Sequence, residues 1–179
     1  MQFNITNIQL YALQKLGDDE KALAFLLQKR AQEKALEQGN PRWWPGNNLR
    51  YRLAQTYVYQ HRYSDAKAVI ETMDFSRTPA SPSTLFLSAF VYSKLALYEQ
   101  AMTFVEDGLN HESTNQSEIW PKKFLDLKYR ILTANQQHDE ADNIAAHMQQ
   151  KYDLDPTKRS GKYVRSFASP MLVFHINSE

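Results

Sequence analysis

Five histidines, the adjacent carboxylates Asp18-Asp19 and Asp139-Glu140, and one pair of tryptophans are the side chains in this chain whose types invite a chemical reading. His61, His111, His138, His147 and His175 include no pair at the spacing of a helical zinc motif. His138 and Asp142 lie four apart, as two ligands on one helix face would. The segment around them, "QHDEADNIAAHM", also reads as a turn followed by a helix start, where polar residues serve the backbone. Asp18-Asp19 and Asp139-Glu140 fall at helix starts, where negative charge complements the helix dipole. There is no cysteine, so thiolate metal sites, a cysteine nucleophile and disulfides are all excluded. The five glycines are isolated and form no phosphate-cradling loop; Gly17 and Gly39 read as helix stops. No nucleophile elbow of the form GxSxG occurs. The expectation is a chain that is not an enzyme and holds no cofactor or metal.

Binding then becomes the expected work, and the elements that would position a binding surface come next. The chain has 179 residues, 42% hydrophobic and 23% charged, enough for a domain with a core. A net charge of +1 offers no global field for nucleic acid or an anionic membrane. The N-terminus "MQFNITNIQL" shows neither a signal peptide nor a membrane span, which leads to a cytoplasmic expectation.

A repeat organises the middle of the chain. "HRYSDAKAVI" at 61–70 is echoed by "ALYEQAMTFV" at 96–105. Ala54 and Ala89, Tyr57 and Tyr92, Tyr63 and Tyr98, and Ala66 and Ala101 are each 35 residues apart. Apolar residues within each half recur at three and four, the helix period, so each unit reads as two helices joined by a tight turn. Small residues at 54 and 66 let the two helices approach, and one such pair must stack on others to bury its apolar face. Ser64 is placed to cap the second helix of its pair, and Ser81-Pro82 to open the next first helix.

This pattern of small and aromatic residues resembles the tetratricopeptide repeat. The family's small first-helix residue falls on Ala54 and Ala89, and its aromatic one turn on falls on Tyr57 and Tyr92. Its turn aromatic falls on Tyr63 and Tyr98, and its second-helix alanine on Ala66 and Ala101. Arg50 and Leu85 stand in place of its early tryptophan, and His61 and Ala96 in place of its turn glycine. Looser units flank these two. "LGDDEKALAFL" offers Ala22, with a first helix expected over 5–16, and "QHDEADNIAAHM" offers Ala141 after a helix through Leu125 and Leu132. The resemblance implies an all-α solenoid of about four antiparallel helix pairs over residues 1–154, followed by a non-helical tail, 155–179.

Two insertions and the tail interrupt this plan. "GNPRWWPGNN" carries Trp43 and Trp44 between helix breakers, either plugging the gap between units or serving as a second contact for a partner. "NHESTNQSEIW" reads as a polar loop before a helix opened by Trp120-Pro121. The tail holds a basic cluster, Lys158, Arg159, Lys162 and Arg165, that reads first as a solvated linker. It also holds "MLVFHI", an apolar run expected to dock on the helices, in the groove, or on a second copy to make a homodimer.

In a tetratricopeptide stack the first helices line a concave groove. The resemblance therefore implies a wall of Tyr51, Arg52, Gln55 and Tyr59, then Phe86, Phe90 and Lys94, then Lys123, Asp126 and Arg130. Phe86 and Phe90 share a helix face and belong either to that wall or to the core. The implied function is an adaptor or chaperone gripping a peptide in an aromatic and basic groove. Free-standing proteins of this kind include assembly factors of bacterial secretion systems and pili. The alternatives are an interaction or sensor module of a longer regulator, or nucleic-acid binding through the basic tail, which so short a run disfavours.

Overall fold

The computed structural model describes Leu13 and residues 18–40, 46–76 and 79–157. Every regular element among them is a helix: α1 (Asp19–Gly39), α2 (Asn48–Tyr59), α3 (Tyr63–Ile70), α4 (Pro82–Lys94), α5 (Tyr98–Asn110), the single turn α6 (Glu112–Asn115), α7 (Trp120–Ala134) and α8 (His138–Tyr152). Leu13 apart, the helix expected over 5–16 lies outside the described residues, as do Trp43, Trp44 and the tail from residue 158.

Four helix starts are built alike. The amides of Asp18, Arg62, Leu97 and Gln137 donate to the carbonyls of Leu13, Tyr57, Tyr92 and Leu132 at 3.0, 2.8, 3.0 and 2.9 Å. Those four donors share one backbone conformation, with φ/ψ of −94°/68°, −90°/66°, −87°/64° and −88°/66°. Four residues further on, the amides of Ala22, Ala66, Ala101 and Ala141 donate back to their carbonyls and start the next helix. The residue before the donor is left-handed in three of the turns: His61 at φ 58°, Ala96 at 57° and Gln136 at 60°. A left-handed residue lets the chain reverse while its amides satisfy the last carbonyls of the helix it ends. The 35-residue spacing is thus written in the backbone as well as in the side chains. All four alanines are buried, as are Ala54 and Ala89.

The expected caps divide. Ser81 does cap α4, its hydroxyl accepting from the Thr84 amide at 3.3 Å with Pro82 in the first turn, and Trp120-Pro121 does open α7. Ser64 does not cap α3. The helix already begins at Tyr63, because the left-handed turn places Arg62 at the cap position, and Ser64 is exposed in the first turn. The loop after α5 is not wholly irregular. α6 forms there, with the His111 ring accepting from the Ser113 amide and Thr114 buried.

The chain divides into two compact units. In the first, α2 packs against α1 on one side and α3 on the other, around Ala22, Leu26, Leu53, Ala54, Val58 and Ala66. Arg50 takes the place of an apolar anchor here. Its side chain is 7% exposed, donates to the Gly46 carbonyl at 2.8 Å and pairs with Glu37 of α1 at 2.8 Å. Arg30 joins the same cluster, 3.3 Å from Glu37 and 3.4 Å from Glu33. Burial pushes the Glu33 carboxyl above its ordinary value. Burial acts on Glu37 in the same direction, but the hydrogen bond from Arg50 and the charge of Arg30 outweigh it and hold that carboxyl below its ordinary value. Further along, Asn47 exchanges two hydrogen bonds with the Asp74 backbone, at 2.9 and 3.1 Å, closing the α2–α3 hairpin.

In the second unit α4 pairs with α5, α7 lies against both, and α8 covers α7. Phe86 of α4 meets Phe124 and Trp120 of α7 at ring-centroid distances of 5.5 and 6.2 Å. Phe124 is fully buried, a burial that contributes about 1.5–3 kcal/mol. Gly108 of α5 faces it so closely that a Cβ there would lie 2.2 Å from two of its ring carbons. α4 is unusual in being buried on every face, from Thr84 through Tyr92.

Candidate binding face

Counted back from the shared turn, Gln55, Phe90 and Arg130 are equivalent, as are Tyr51, Phe86 and Asp126. These positions recur one helical turn apart on α2, α4 and α7, so each first helix presents them on one face.

On α2 the face is polar and aromatic. Tyr51 and Arg52 are half-buried, the Arg52 guanidinium standing 5.9 Å from the Tyr51 ring centroid. Tyr59 is 38% exposed at the end of the helix. Between them Gln55 is only 1% exposed. Arg52 Nη1 donates to Gln55 Oε1 at 3.3 Å. A guanidinium only donates, so this contact fixes which end of the amide is oxygen. Gln55 Nε2 is then a buried donor with no acceptor among the described residues.

On α4 and α7 the face differs from the expectation. Phe86 and Phe90 are buried, at 4% and 3% exposure, and are core side chains rather than parts of an open wall. The reason is the aromatic cluster with Trp120 and Phe124, which needs Phe86 inside. Lys94 is exposed at the end of α4, its ammonium 5.4 Å from the Phe90 ring centroid. Lys123 is buried, its ammonium 4.8 Å from the Trp120 ring, and burial lowers its pKa. Asp126 is buried and accepts from Arg130 at 2.8 and 3.3 Å, which neutralises that part of the surface. Of the expected wall, Tyr51, Arg52, Tyr59, Lys94 and Arg130 reach the surface at least in part, whereas Gln55, Phe86, Phe90 and Lys123 do not. Trp43 and Trp44 lie outside the described residues.

Among the described residues no group of three or more metal-ligating side chains gathers. No described helix is long and apolar enough to cross a membrane. The Arg30–Glu33–Glu37–Arg50 cluster went unseen in sequence. Its only signal was an arginine at the position the family resemblance reserves for tryptophan.

Compared with known proteins, the chain matches no family model, no curated protein and no solved structure.

Proposed function

We propose that this chain is a helical-repeat binding protein of the tetratricopeptide kind, an adaptor or chaperone that grips a peptide with apolar and acidic side chains. The observation that carries this reading is the partly exposed row on α2, where the Arg52 guanidinium stands 5.9 Å from the Tyr51 ring centroid and Tyr59 is 38% exposed at the end of the helix. A guanidinium among tyrosines suits a peptide that combines apolar side chains with carboxylates. The three matching turns after α2, α4 and α7 support the reading, because they set these first helices in the same register within their hairpins.

The test is a displayed random-peptide selection on the immobilised full chain, followed by affinity and stability measurements on Tyr59→Ala. The expected selection favours peptides combining aromatic or aliphatic residues with Asp or Glu. The variant is expected to melt close to the parent, since Tyr59 is 38% exposed, yet to bind the selected peptides roughly tenfold or more weakly. A variant that binds equally well would mean that this face of α2 does not hold the peptide.

A further inference from the structure

α1 carries two faces. Ala22 and Leu26 are its buried positions, in the core it shares with α2. Away from them, Glu20, Ala24, Leu27, Ala31, Lys34 and Gln38 are all exposed. They recur at alternating intervals of four and three residues, which aligns them in one seam along the helix, the spacing by which two helices pack side by side. Leu27 is 44% exposed at the middle of the seam, and Leu23 is half-buried beside it. A shallow hollow of about 570 Å³ opens there between α1 and the α2–α3 turn, lined by Leu23, Ala24 and Leu27 together with Glu20, Gln60 and Arg62.

The charges of the seam are unspent. Elsewhere on α1, Lys21 pairs with Asp18, and Arg30 with Glu33 and Glu37. Arg62, at the hollow, is held by Asp65 at 2.7 Å. Glu20 and Lys34 form no ion pair among the described residues. These two stand seven residues to either side of Leu27, one acid and one base. A helix written this way complements a copy of itself in one orientation. Antiparallel pairing about Leu27 sets Leu27 against Leu27 of the second copy, Glu20 against its Lys34, and Lys34 against its Glu20. Parallel pairing sets Glu20 against Glu20 and Lys34 against Lys34, like charges at both ends. A partner of a single charge sign matches one end of the seam and opposes the other.

We propose that the exposed seam of α1 is a self-association surface whose occupant is α1 of a second copy, paired antiparallel about Leu27. Ala24 and Ala31 end at Cβ and let the two helices approach. The methylene stem of Lys34 lies over the apolar hollow of the second copy while its ammonium reaches Glu20 there. Such a pair is two-fold symmetric and closes on itself, so assembly stops at a dimer. The seam shares no residue with the peptide face on α2.

The experiment is sedimentation equilibrium of the full chain over a concentration series, with circular dichroism to confirm that each variant stays folded. The parent is expected to pass from monomer to dimer as concentration rises. Lys34→Glu and Glu20→Lys are each expected to weaken the dimer roughly tenfold, because symmetry makes each change oppose like charges twice. An equimolar mixture of the two variants is expected to recover a heterodimer near the parental affinity, since every pair across the seam is then opposite in sign again. Leu27→Asp, which sets two carboxylates against each other at the centre, is expected to leave the chain monomeric. A parent that stays monomeric at the highest concentration reached overturns the proposal. So does a dimer that Leu27→Asp and both charge variants leave unchanged, or a mixture no tighter than the variants alone.

Discussion

Replacing Gly108 with alanine should destabilise the protein, although the same change in an ordinary helix stabilises it. Gly108 lies inside α5, where alanine gains about 1 kcal/mol in helix propensity. The added Cβ would sit 2.2 Å from Cε1 and Cζ of Phe124 and 2.8 Å from Cε2. The ring cannot swing away cheaply, because Phe86 and Trp120 hold it at centroid distances of 5.5 and 6.0 Å. Overpacking of this kind costs about 1–3 kcal/mol, and three close contacts to a ring held on both sides place it at the upper end. The net loss is then about 1–2 kcal/mol after the propensity gain. In a chain of this length that lowers the melting temperature by roughly 2–4 °C per kcal/mol. Urea unfolding followed by circular dichroism measures it. Gly39→Ala is the internal control. A Cβ at the end of α1 meets nothing within 4 Å, so that variant should be as stable as the parent or slightly more so. Adding Phe124→Leu to Gly108→Ala should recover part of the loss relative to the sum of the two single changes, a coupling read by a double-mutant cycle. If Gly108→Ala proves as stable as Gly39→Ala, α5 and α7 do not approach as described.

Ala96 adopts a left-handed conformation, φ 57°, that costs a residue with a Cβ about 1–2 kcal/mol. Ala96→Gly should raise stability in thermal unfolding by about 0.5–1 kcal/mol once the greater freedom of glycine in the unfolded chain is subtracted. A fall in stability would mean that the turn is not left-handed. For Glu33, burial raises the folded-state pKa above the ordinary value of 4.5. The folded chain therefore holds the Glu33 proton more tightly than the unfolded chain, and this contribution falls as pH rises from that value through the folded pKa. Glu33→Gln should accordingly be stabilising at pH 7, and its advantage should shrink towards acid pH, where both states carry the neutral acid. Melting curves at several pH values test this. An advantage independent of pH would place its cause elsewhere.

The helix pairs were legible because their signals are local. Alanine and tyrosine at a fixed offset mark where two helices must touch, and Ser81-Pro82 spells a helix start in adjacent residues. The turn geometry of Gln136 matches that of His61 and Ala96, yet its neighbours share little sequence with theirs; only the spacing to Ala141 linked them. What sequence could not resolve was burial on α4. Phe86 and Phe90 obey the pattern of a presented face as well as that of a core, and only the positions of Trp120 and Phe124 decide between them. The Arg50 cluster was hidden for the same reason. An arginine beside a glycine-proline loop reads as solvent-facing until Glu37, contributed by another helix, arrives beside it.

Because α4 is buried on every face and Phe86 packs on residues of α7, order of synthesis matters for this chain. α4 and α5 leave the ribosome before Trp120 and Phe124 do. About 14 residues separate the end of α5 from Phe124, an interval of roughly 1–3 s at ordinary elongation rates. During that interval the nascent α4–α5 hairpin can form its turn and its alanine contacts, but it carries an aromatic face with no α7 to meet it.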